Sequence, residues 1–452
     1  MVATVVSLLL ASMASAAAGV ELQGIENGTL LTYKGTMIAD KGEVFLSRKT
    51  IEISFLVSDV DADGMTLWWT KSEDGRGQWP WPGRFGQLRL NANYKPAGTE
   101  VPALLYLRDN GQNIVSLEPP FLAGPQPLSQ DLKWEEGRKK FHVTGQSTKE
   151  GRQTWRVEAT TPYGRNRTAW VETQSPLVVS LKRTLFIGQG EKYQLKLKLT
   201  DKRQLSPQQF AAMLDGYKVF VNLRRRLGYE LRNISIQWND LQLAMLRGEL
   251  PDVVALTKRG PLFEVVKAAI EDAKDQKNRS GAVSALRRRA MGKSLDQLRL
   301  EGISGETVAL GDLRNHVVVL HLWQYQNKPL EEPYGQIGYL DYLYRQRKGD
   351  GLKVIGVVVN QRMNDPSTRV RAISSAKKLK SFMNLSYPLM FDDGLIEKLG
   401  DPRMTGAKLP LYVILDTDGK VIEYHSGLYE VSRDRGLEQL DALITKALGN
   451  RE

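Results

Sequence analysis

The sequence predicts a multidomain α+β protein with an N-terminal antiparallel β region, a helical connector and a C-terminal α/β domain. Over residues 19–200, short stretches alternate between apolar and polar side chains, which is the period of half-buried strands. Over 201–292, apolar residues recur at helical spacing. From 293 to 452, continuous apolar runs such as 317–320 alternate with helix-like segments, a pattern typical of buried parallel strands joined by helices.

Composition limits the chemistry that this chain can perform. With 41% hydrophobic and 25% charged residues over 452 positions, the chain has the composition of an ordinary globular protein with several domains. It contains no cysteine, which excludes thiol catalysis and zinc–thiolate sites. Its four histidines, His142, His316, His321 and His425, lack the spacing of metal ligands. We therefore predict no metal and no cofactor.

The first residues have the pattern of a secretory signal peptide. An apolar run is followed by small residues with Ala-x-Ala sequences near Ala16, so residues 1–18 are predicted to be removed on export. We expect the protein in the periplasm or cell envelope. No internal run reaches the ~18–20 apolar residues that span a bilayer. The net charge of +12 favours an anionic partner, and export makes nucleic acid the least favoured one.

The β region contains the clearest strand signals. Alternation is regular over 51–57, 154–158 and 193–199, and a hairpin is predicted around Gly188 and Gly190. Such strands form an antiparallel sheet with one buried face. The irregular, proline-rich stretch 102–130 suggests two β lobes divided near residue 125.

One acidic loop in this region resembles the start of a calcium site. Asp59, Asp61 and Asp63 precede Gly64 at alternate positions, as in an EF-hand loop. The twelfth position, which should carry a bidentate glutamate, is Thr70. Because the flanking residues are strand-like, an acidic hairpin turn is the favoured interpretation, and we predict no bound metal.

Four tryptophans lie close together over residues 68–81. Exposed aromatic rings beside arginines bind sugars, peptides or prolines, so Trp79 and Trp81 are candidate binding residues. The alternative is that the rings fill the open end of a β-sandwich. This alternative is favoured, because large aromatic side chains are usually buried.

The connector begins with a strong helix start. Ser206 and Pro207 are suited to the N-cap and first helical positions, and further helical stretches are predicted over 236–246 and 261–275. Arginine runs at 224–226 and 287–289 are the densest basic segments. A solvated helix face is favoured for them over a binding patch.

The C-terminal domain contains the most informative segment, HVVVLHLWQYQNKPLEEP at 316–333. It combines a buried strand, a polar turn and an acidic helix start. The segment resembles the F-W-A-x-W-C-x-P-C-x-x-E motif of bacterial thioredoxin-like proteins of the TlpA/ResA type, in the redoxin (AhpC/TSA) superfamily. Trp323 matches the early tryptophan of the motif and Pro329 the proline between its cysteines. Asn327 and Leu330 stand at the two cysteine positions, on either side of Lys328 and Pro329.

Later landmarks extend this resemblance over 293–452. Residues 387–392 resemble the family's Y/F-P-V-L-x-D segment, and 409–421 resemble V-P-T-T-F-L-I-D-x-D-G-x-I. Pro410 matches a position that is a cis-proline in the family. Helices are expected over 329–347, 367–383 and 433–448. The resemblance implies a thioredoxin-like domain.

The resemblance implies a reaction that this sequence cannot perform at the usual site. In the family, the first cysteine attacks a disulfide as a thiolate and the second resolves the mixed intermediate. Asn327 and Leu330 can do neither, so we predict an exported, redox-inactive thioredoxin-fold protein. The family surface beside the active-site helix and cis-proline binds extended polypeptide. The matching residues here are Trp323, Asn327, Lys328, Lys408, Leu409 and Pro410.

The partner and the class of function stay open at this point. A peptide, a protein or an anionic envelope polymer would suit the expected binding surface. Two alternatives are a family member that acts only with a cysteine-bearing partner, and a cell-surface module that binds through the tryptophan-rich β region. An enzyme site within the β region has no support from a Gly-x-Ser-x-Gly, P-loop or His-Glu-x-x-His motif.

Overall fold

The computed structural model describes residues 24–40, 48–98, 100–108, 111–162, 164–188, 190–234, 236–325, 336–392, 394–432 and 434–449. The predicted signal peptide lies outside these residues. The chain divides into two compact units, Met1–Ala273 and Lys274–Glu452. Within the described ranges, no helix is both long and apolar enough to cross a membrane.

An eleven-stranded antiparallel sheet dominates the first unit. In chain order, the strands are β1 (Thr29–Ala39), β2 (Arg48–Asp61), β3 (Gly64–Asp74), β4 (Phe85–Asn91), β5 (Pro96–Ala97), β6 (Ala103–Arg108), β7 (Gly111–Ser116), β8 (Lys133–Glu136), β9 (Lys139–Lys149), β10 (Arg152–Thr161), β11 (Gly164–Glu172), β12 (Val178–Ile187) and β13 (Glu191–Gln204). The order in the sheet is β5-β4-β3-β2-β1-β13-β12-β11-β10-β9-β8, and β6 pairs with β7 separately.

The predicted division into two β lobes is wrong. Strand β1 pairs with β2 on one side and with β13 on the other, which joins both halves of the region into one sheet. Part of the irregular stretch 102–130 forms the β6–β7 hairpin. Leu104, Tyr106 and Val115 of this hairpin are buried in the same core as Phe55 and Leu195 of the sheet. The stretch therefore covers the sheet instead of separating two domains.

Three helices follow the sheet: α1 (Pro207–Arg226), α2 (Asp240–Thr257) and α3 (Leu262–Ala290). The predicted start of α1 is confirmed, because Ser206 forms a capping box with Gln209 and Pro207 occupies the first turn. Helix α2 begins later than expected, with Asn239 as its N-cap. Helix α3 begins close to the expected residue 261 and continues to Ala290, well beyond the predicted end at 275.

The predicted connector 201–292 is shared between the two units. Apolar residues of α1, α2 and the first part of α3 form a second core on the opposite face of the sheet, against Leu56, Trp68 and Phe85. The division between the units falls within α3, after Ala273. The helical stripes are therefore core-facing surfaces of the first unit up to that point.

The second unit is built on a five-stranded mixed sheet. The described strands of the whole unit are β14 (Arg299–Glu301), β15 (Thr307–Ala309), β16 (Val317–Gln324), β17 (Leu352–Val359), β18 (Leu389–Phe391), β19 (Leu411–Leu415) and β20 (Val421–Ser426). Its helices after α3 are α4 (Ile337–Arg347), α5 (Pro366–Phe382), α6 (Leu395–Leu399) and α7 (Glu438–Gly449). The sheet order is β18-β17-β16-β19-β20, and β14 pairs with β15. Strands β16, β17 and β18 are parallel, whereas β19 is antiparallel to both of its neighbours.

The apolar run of β16 is explained by burial on both faces. Val319 and Trp323 belong to a core that also contains Leu340 of α4. Leu320 and Leu322 belong to the core on the other face. A central parallel β-α-β unit extended by an antiparallel β19–β20 hairpin and a closing helix is a thioredoxin-like arrangement. The second unit thus contains the thioredoxin-like domain that the motifs implied.

Candidate functional site

The predicted site lies where β16 ends and β19 begins. Leu322 is the register partner of Leu411, so Pro410, one residue before Leu411, lies beside Trp323. The Leu409–Pro410 peptide is cis, as the resemblance implied. Strand β16, α4 and this proline are therefore arranged around one edge of the sheet. The motif positions Asn327, Lys328, Pro329 and Leu330 lie outside the described residues.

The described candidates differ in their access to a ligand. Trp323 is only 2% exposed and belongs to the core. Pro410 is buried, Leu409 is half-buried and Lys408 is exposed. Partial burial, with a smaller contribution from Arg279, lowers the pKa of the Lys408 amine. Lys408 and Leu409 are therefore the described candidates whose side chains a ligand can reach.

A buried polar network lies behind this edge and fixes the start of α4. Gln336, 1% exposed, accepts hydrogen bonds from the Tyr412 hydroxyl at 2.9 Å and from the Tyr429 backbone N–H at 3.0 Å. Its own amide donates to the Tyr429 carbonyl at 2.6 Å. Burial raises the pKa of Tyr412 well above its usual value, so the phenol stays a neutral donor. No sequence motif marks Gln336, so its role is visible only in the structure.

Two histidines stack on two neighbouring tyrosines. His321 is fully buried and its ring stacks on Tyr412 with a centroid distance of 4.6 Å. His425 stacks on Tyr429 at 4.0 Å, and burial lowers its pKa, so the imidazole is neutral near pH 7. These rings fill space in the domain core. In the part of the chain that the structure describes, no group of three or more potential ligands could hold a metal ion.

The acidic loop of the first unit is a hairpin turn. Strand β2 ends at Asp61 and β3 begins at Gly64. The Arg89 guanidinium donates to both carboxylate oxygens of Asp61, at 2.7 and 2.8 Å, and holds the pKa of this carboxyl below its usual value. The backbone N–H of Asp63 also donates to Asp61. The Arg89 guanidinium thus neutralises the charge of the Asp61 carboxylate.

The prediction of an exposed tryptophan platform at Trp79 and Trp81 is wrong. Their exposed fractions are 3% and 2%. The Trp81 ring stacks on Phe220 of α1 at 5.1 Å, and its indole N–H donates to Asp272 of α3 at 2.9 Å. The helices that follow the sheet therefore cover Trp68 and Trp81, whereas Trp69 belongs to the core on the other face. This outcome agrees with the favoured interpretation that the rings have a packing role.

The first arginine run contains a structural anchor. Arg224 is 6% exposed, donates to the carbonyls of Pro82 and Phe85 at 3.1 and 2.6 Å, and pairs with Glu100. Its guanidinium also lies over the Phe85 ring at 4.8 Å. Arg225 and Arg226 are exposed. The run is thus neither a purely solvated face nor a continuous basic patch.

Comparison with known proteins gives a limited likeness to thiol-disulfide oxidoreductase structures. No protein-family model and no curated protein matches the chain. A thioredoxin-family thiol:disulfide interchange protein from Chlorobium tepidum is 15% identical, with 35% of this chain and 99% of that chain covered and a TM-score of 0.28. A secreted Mycobacterium tuberculosis disulfide oxidoreductase homologous to E. coli DsbE is also 15% identical, with 33% and 96% covered and a TM-score of 0.25. The thioredoxin-like description of the second unit rests on its own strand order.

Proposed function

We propose that this chain is an exported thioredoxin-fold protein that lacks dithiol chemistry and binds extended polypeptide at the edge formed by β16 and β19. The observation that carries the proposal is the absence of cysteine from the whole sequence, beside a thioredoxin-like sheet with a cis-proline at Pro410. The signal-peptide pattern at 1–18 supports export. Without a thiolate, this edge can bind a polypeptide but cannot exchange disulfides with it.

The shape of the exposed edge supports this proposal. Lys408 is exposed and Leu409 is half-buried against the core, while Pro410 and Trp323 at the ends of β19 and β16 are buried. A cation next to an apolar side chain suits a polypeptide that alternates between acidic and apolar groups. The network of Gln336 keeps the described start of α4 in place beside this edge, which limits the ordering cost of binding there.

An insulin-reduction assay tests the redox part of the proposal. We expect the purified full chain to leave the dithiothreitol-driven rate unchanged, because no residue can form the mixed disulfide. A clear increase without any other thiol enzyme would contradict the proposal. A rate above that of reduced thioredoxin alone, seen only when both proteins are present, would favour the alternative in which the chain acts with a cysteine-bearing partner.

A binding measurement tests the polypeptide part. The probe is carboxymethylated α-lactalbumin, which stays unfolded, and its affinity is measured by isothermal titration calorimetry. We expect Leu409→Asp to weaken binding at least about tenfold, or ~1.4 kcal/mol, because a desolvated carboxylate replaces an apolar contact. Phe382→Asp is the matched control, since Phe382 is 85% exposed at the far end of α5. Equal affinities of the two variants would refute this site.

A further inference from the structure

Four lysines are direct neighbours on the outer face of the large sheet. Strand pairing places Lys34 of β1 opposite Lys198 of β13, and Lys182 of β12 opposite Lys196 of β13. Lys196 and Lys198 are two positions apart and thus share a face. We call these four residues the lysine cluster. Their face is the one opposite the main core, to which the intervening Leu181, Leu195 and Leu197 belong.

This arrangement is electrostatically unfavourable in the free protein. Side chains directly opposite on paired strands have Cβ atoms about 4.5–5.5 Å apart, and like charges at that distance destabilise a sheet. Glu52 offsets Lys34 at 3.1 Å, and Glu150 approaches Lys198 at 3.9 Å. Within the described residues, Lys182 and Lys196 have no such carboxylate partner. The cluster therefore retains positive charge that an anion can neutralise.

A groove of about 690 Å³ runs beside the cluster across five strands from β12 to β3. Four inter-strand spacings make it roughly 19 Å long. Its floor is made of small residues, most of them hydroxylated: Gly35, Thr36, Thr50, Ser72 and Ser180. Arg48 and Lys149 add positive charge to its rim, and Glu52, Asp74 and Glu150 add negative charge.

Gly35 lets β1 and β13 approach closely at the centre of this groove. A Cβ atom at this position would lie 2.0 Å from the Lys196 carbonyl oxygen and 2.6 Å from the Leu197 side chain. Gly35 is the register partner of Leu197, so a side chain here would point to the core face and not into the groove. Close approach of the two strands is a recurrent reason for glycine inside a strand. The backbone of Gly35 therefore forms part of the groove floor.

We infer that this groove binds a linear anionic polysaccharide, with its acidic groups on the lysine cluster and its hydroxyls on the serine and threonine floor. The length of the groove suits a polymer better than a small metabolite. Its concave shape suits a single chain better than the flat surface of a membrane. Nucleic-acid strands are usually held by exposed aromatic rings, whereas Trp170, the nearest ring in the same cross-strand row, lies beneath Lys149 at 5.0 Å.

The test uses polygalacturonate, a polymer of uronic acid, with dextran as a neutral polysaccharide of similar hydroxyl content. Binding to the full-length protein is measured by biolayer interferometry at several salt concentrations. We expect polygalacturonate to bind with an affinity that falls as salt rises, and dextran to show no binding. Binding of both polymers alike, or of neither, would overturn the inference.

Matched variants locate the site. Lys182→Glu with Lys196→Glu should weaken polygalacturonate binding at least about tenfold, whereas Lys133→Glu with Lys139→Glu makes the same charge change elsewhere in the first unit and should have a much smaller effect. Thr50→Trp, which fills the groove without changing its charge, should also weaken binding. Circular dichroism confirms that each variant folds. Equal losses in both double variants would show non-specific attraction and refute the site.

Two further probes separate the polysaccharide from other polyanions. Single-stranded DNA and vesicles containing anionic lipid carry dense negative charge but do not present a chain of sugar hydroxyls to the floor. We expect both to bind more weakly than polygalacturonate at equal ionic strength and to be insensitive to Thr50→Trp. Tighter binding of either probe through the lysine cluster would overturn the assignment. The outcome is independent of polypeptide binding, because that site lies in the other unit.

Discussion

A buried three-residue ion cluster in the first unit allows a quantitative test of the structure. Glu73 has a fully buried side chain and lies between two buried lysines, with Lys71 Nζ at 2.9 Å and Lys49 Nζ at 3.0 Å. Its carboxylate also accepts the backbone N–H groups of Trp79 and Leu105, both at 3.2 Å. One carboxylate therefore serves two ammonium groups, and the cluster has an excess positive charge.

Glu73→Gln removes the negative charge and keeps nearly the same shape. The two lysines then lose their shared counter-charge inside the protein. Removing one partner of a buried ion pair costs about 3–5 kcal/mol of unfolding free energy, and we expect a loss in this range. The neighbouring Asp74→Asn is the control, because Asp74 is exposed and contributes to no buried pair. Its expected effect is within about 0.5 kcal/mol.

The loss should also depend on pH in a defined direction. Burial lowers the pKa of Lys71 from 10.5 to about 8, while Glu73 acts against this shift. When the pH lies between about 8 and 10.5, Lys71 binds more protons in the unfolded chain than in the folded chain. The contribution of this residue to the unfolding free energy therefore rises with pH in that range. Without Glu73, the pKa of Lys71 falls further. The deficit of Glu73→Gln relative to the natural protein should therefore shrink as the pH rises above neutrality.

Urea unfolding followed by tryptophan fluorescence at pH 7 and pH 9 measures both effects. All tryptophans except Trp323 belong to the first unit, so the signal mainly reports on the unit that contains the cluster. If Glu73→Gln lowers the unfolding free energy by less than about 1 kcal/mol at pH 7, the reasoning is refuted. A deficit that grows with pH would show that the lysines are not held in the charged state that the geometry implies.

Three further substitutions test individual contacts. Arg224→Ala should destabilise the first unit by about 2–4 kcal/mol in urea unfolding, because it leaves buried carbonyls and Glu100 unpaired, whereas Arg225→Ala on the exposed face should change stability by less than about 0.5 kcal/mol. Ser206→Ala removes the N-cap of α1 and should cost about 1 kcal/mol in the same measurement, with a matching loss of helical circular dichroism. Gln336→Ala should lower the unfolding free energy of the second unit by about 2–3 kcal/mol, measured by urea unfolding followed by circular dichroism, since the Tyr412 hydroxyl and Tyr429 N–H lose their acceptor. No change would mean that water replaces the amide.

Local signals in the sequence located most elements, since their causes lie within a few residues. The run at 317–320 is apolar on every residue because β16 is buried on both faces. Ser206 and Pro207 satisfy the first turn of α1 regardless of the rest of the protein. The later motif at Pro410 correctly placed a cis peptide before β19. In each case, the residues that determine the structure are neighbours in the chain.

The failures involve partners that are distant in sequence. Trp81 is buried because Phe220 and Asp272 cover it, and they lie well over a hundred residues further along the chain. Arg224 is an anchor because the carbonyls of Pro82 and Phe85 face it. The pairing of β1 with β13, which rules out two lobes, likewise joins the two ends of the region. Periodicity identifies the buried face of an element, but it does not say what covers that face.

The difference between local and distant determinants also bears on the proposal that this thioredoxin-like domain keeps its fold without cysteine. The supports of α4 that the structure describes at this edge are buried contacts inside the domain. Gln336 links the start of the helix to Tyr412 of β19 and to the backbone of Tyr429, and Trp323 and Leu340 share a core with the closing helix α7. These contacts lie inside the domain, whereas the family's reaction needs thiols at its surface. These described contacts need no thiol, which supports the proposal that the domain keeps its fold without cysteine and binds a polypeptide beside Pro410.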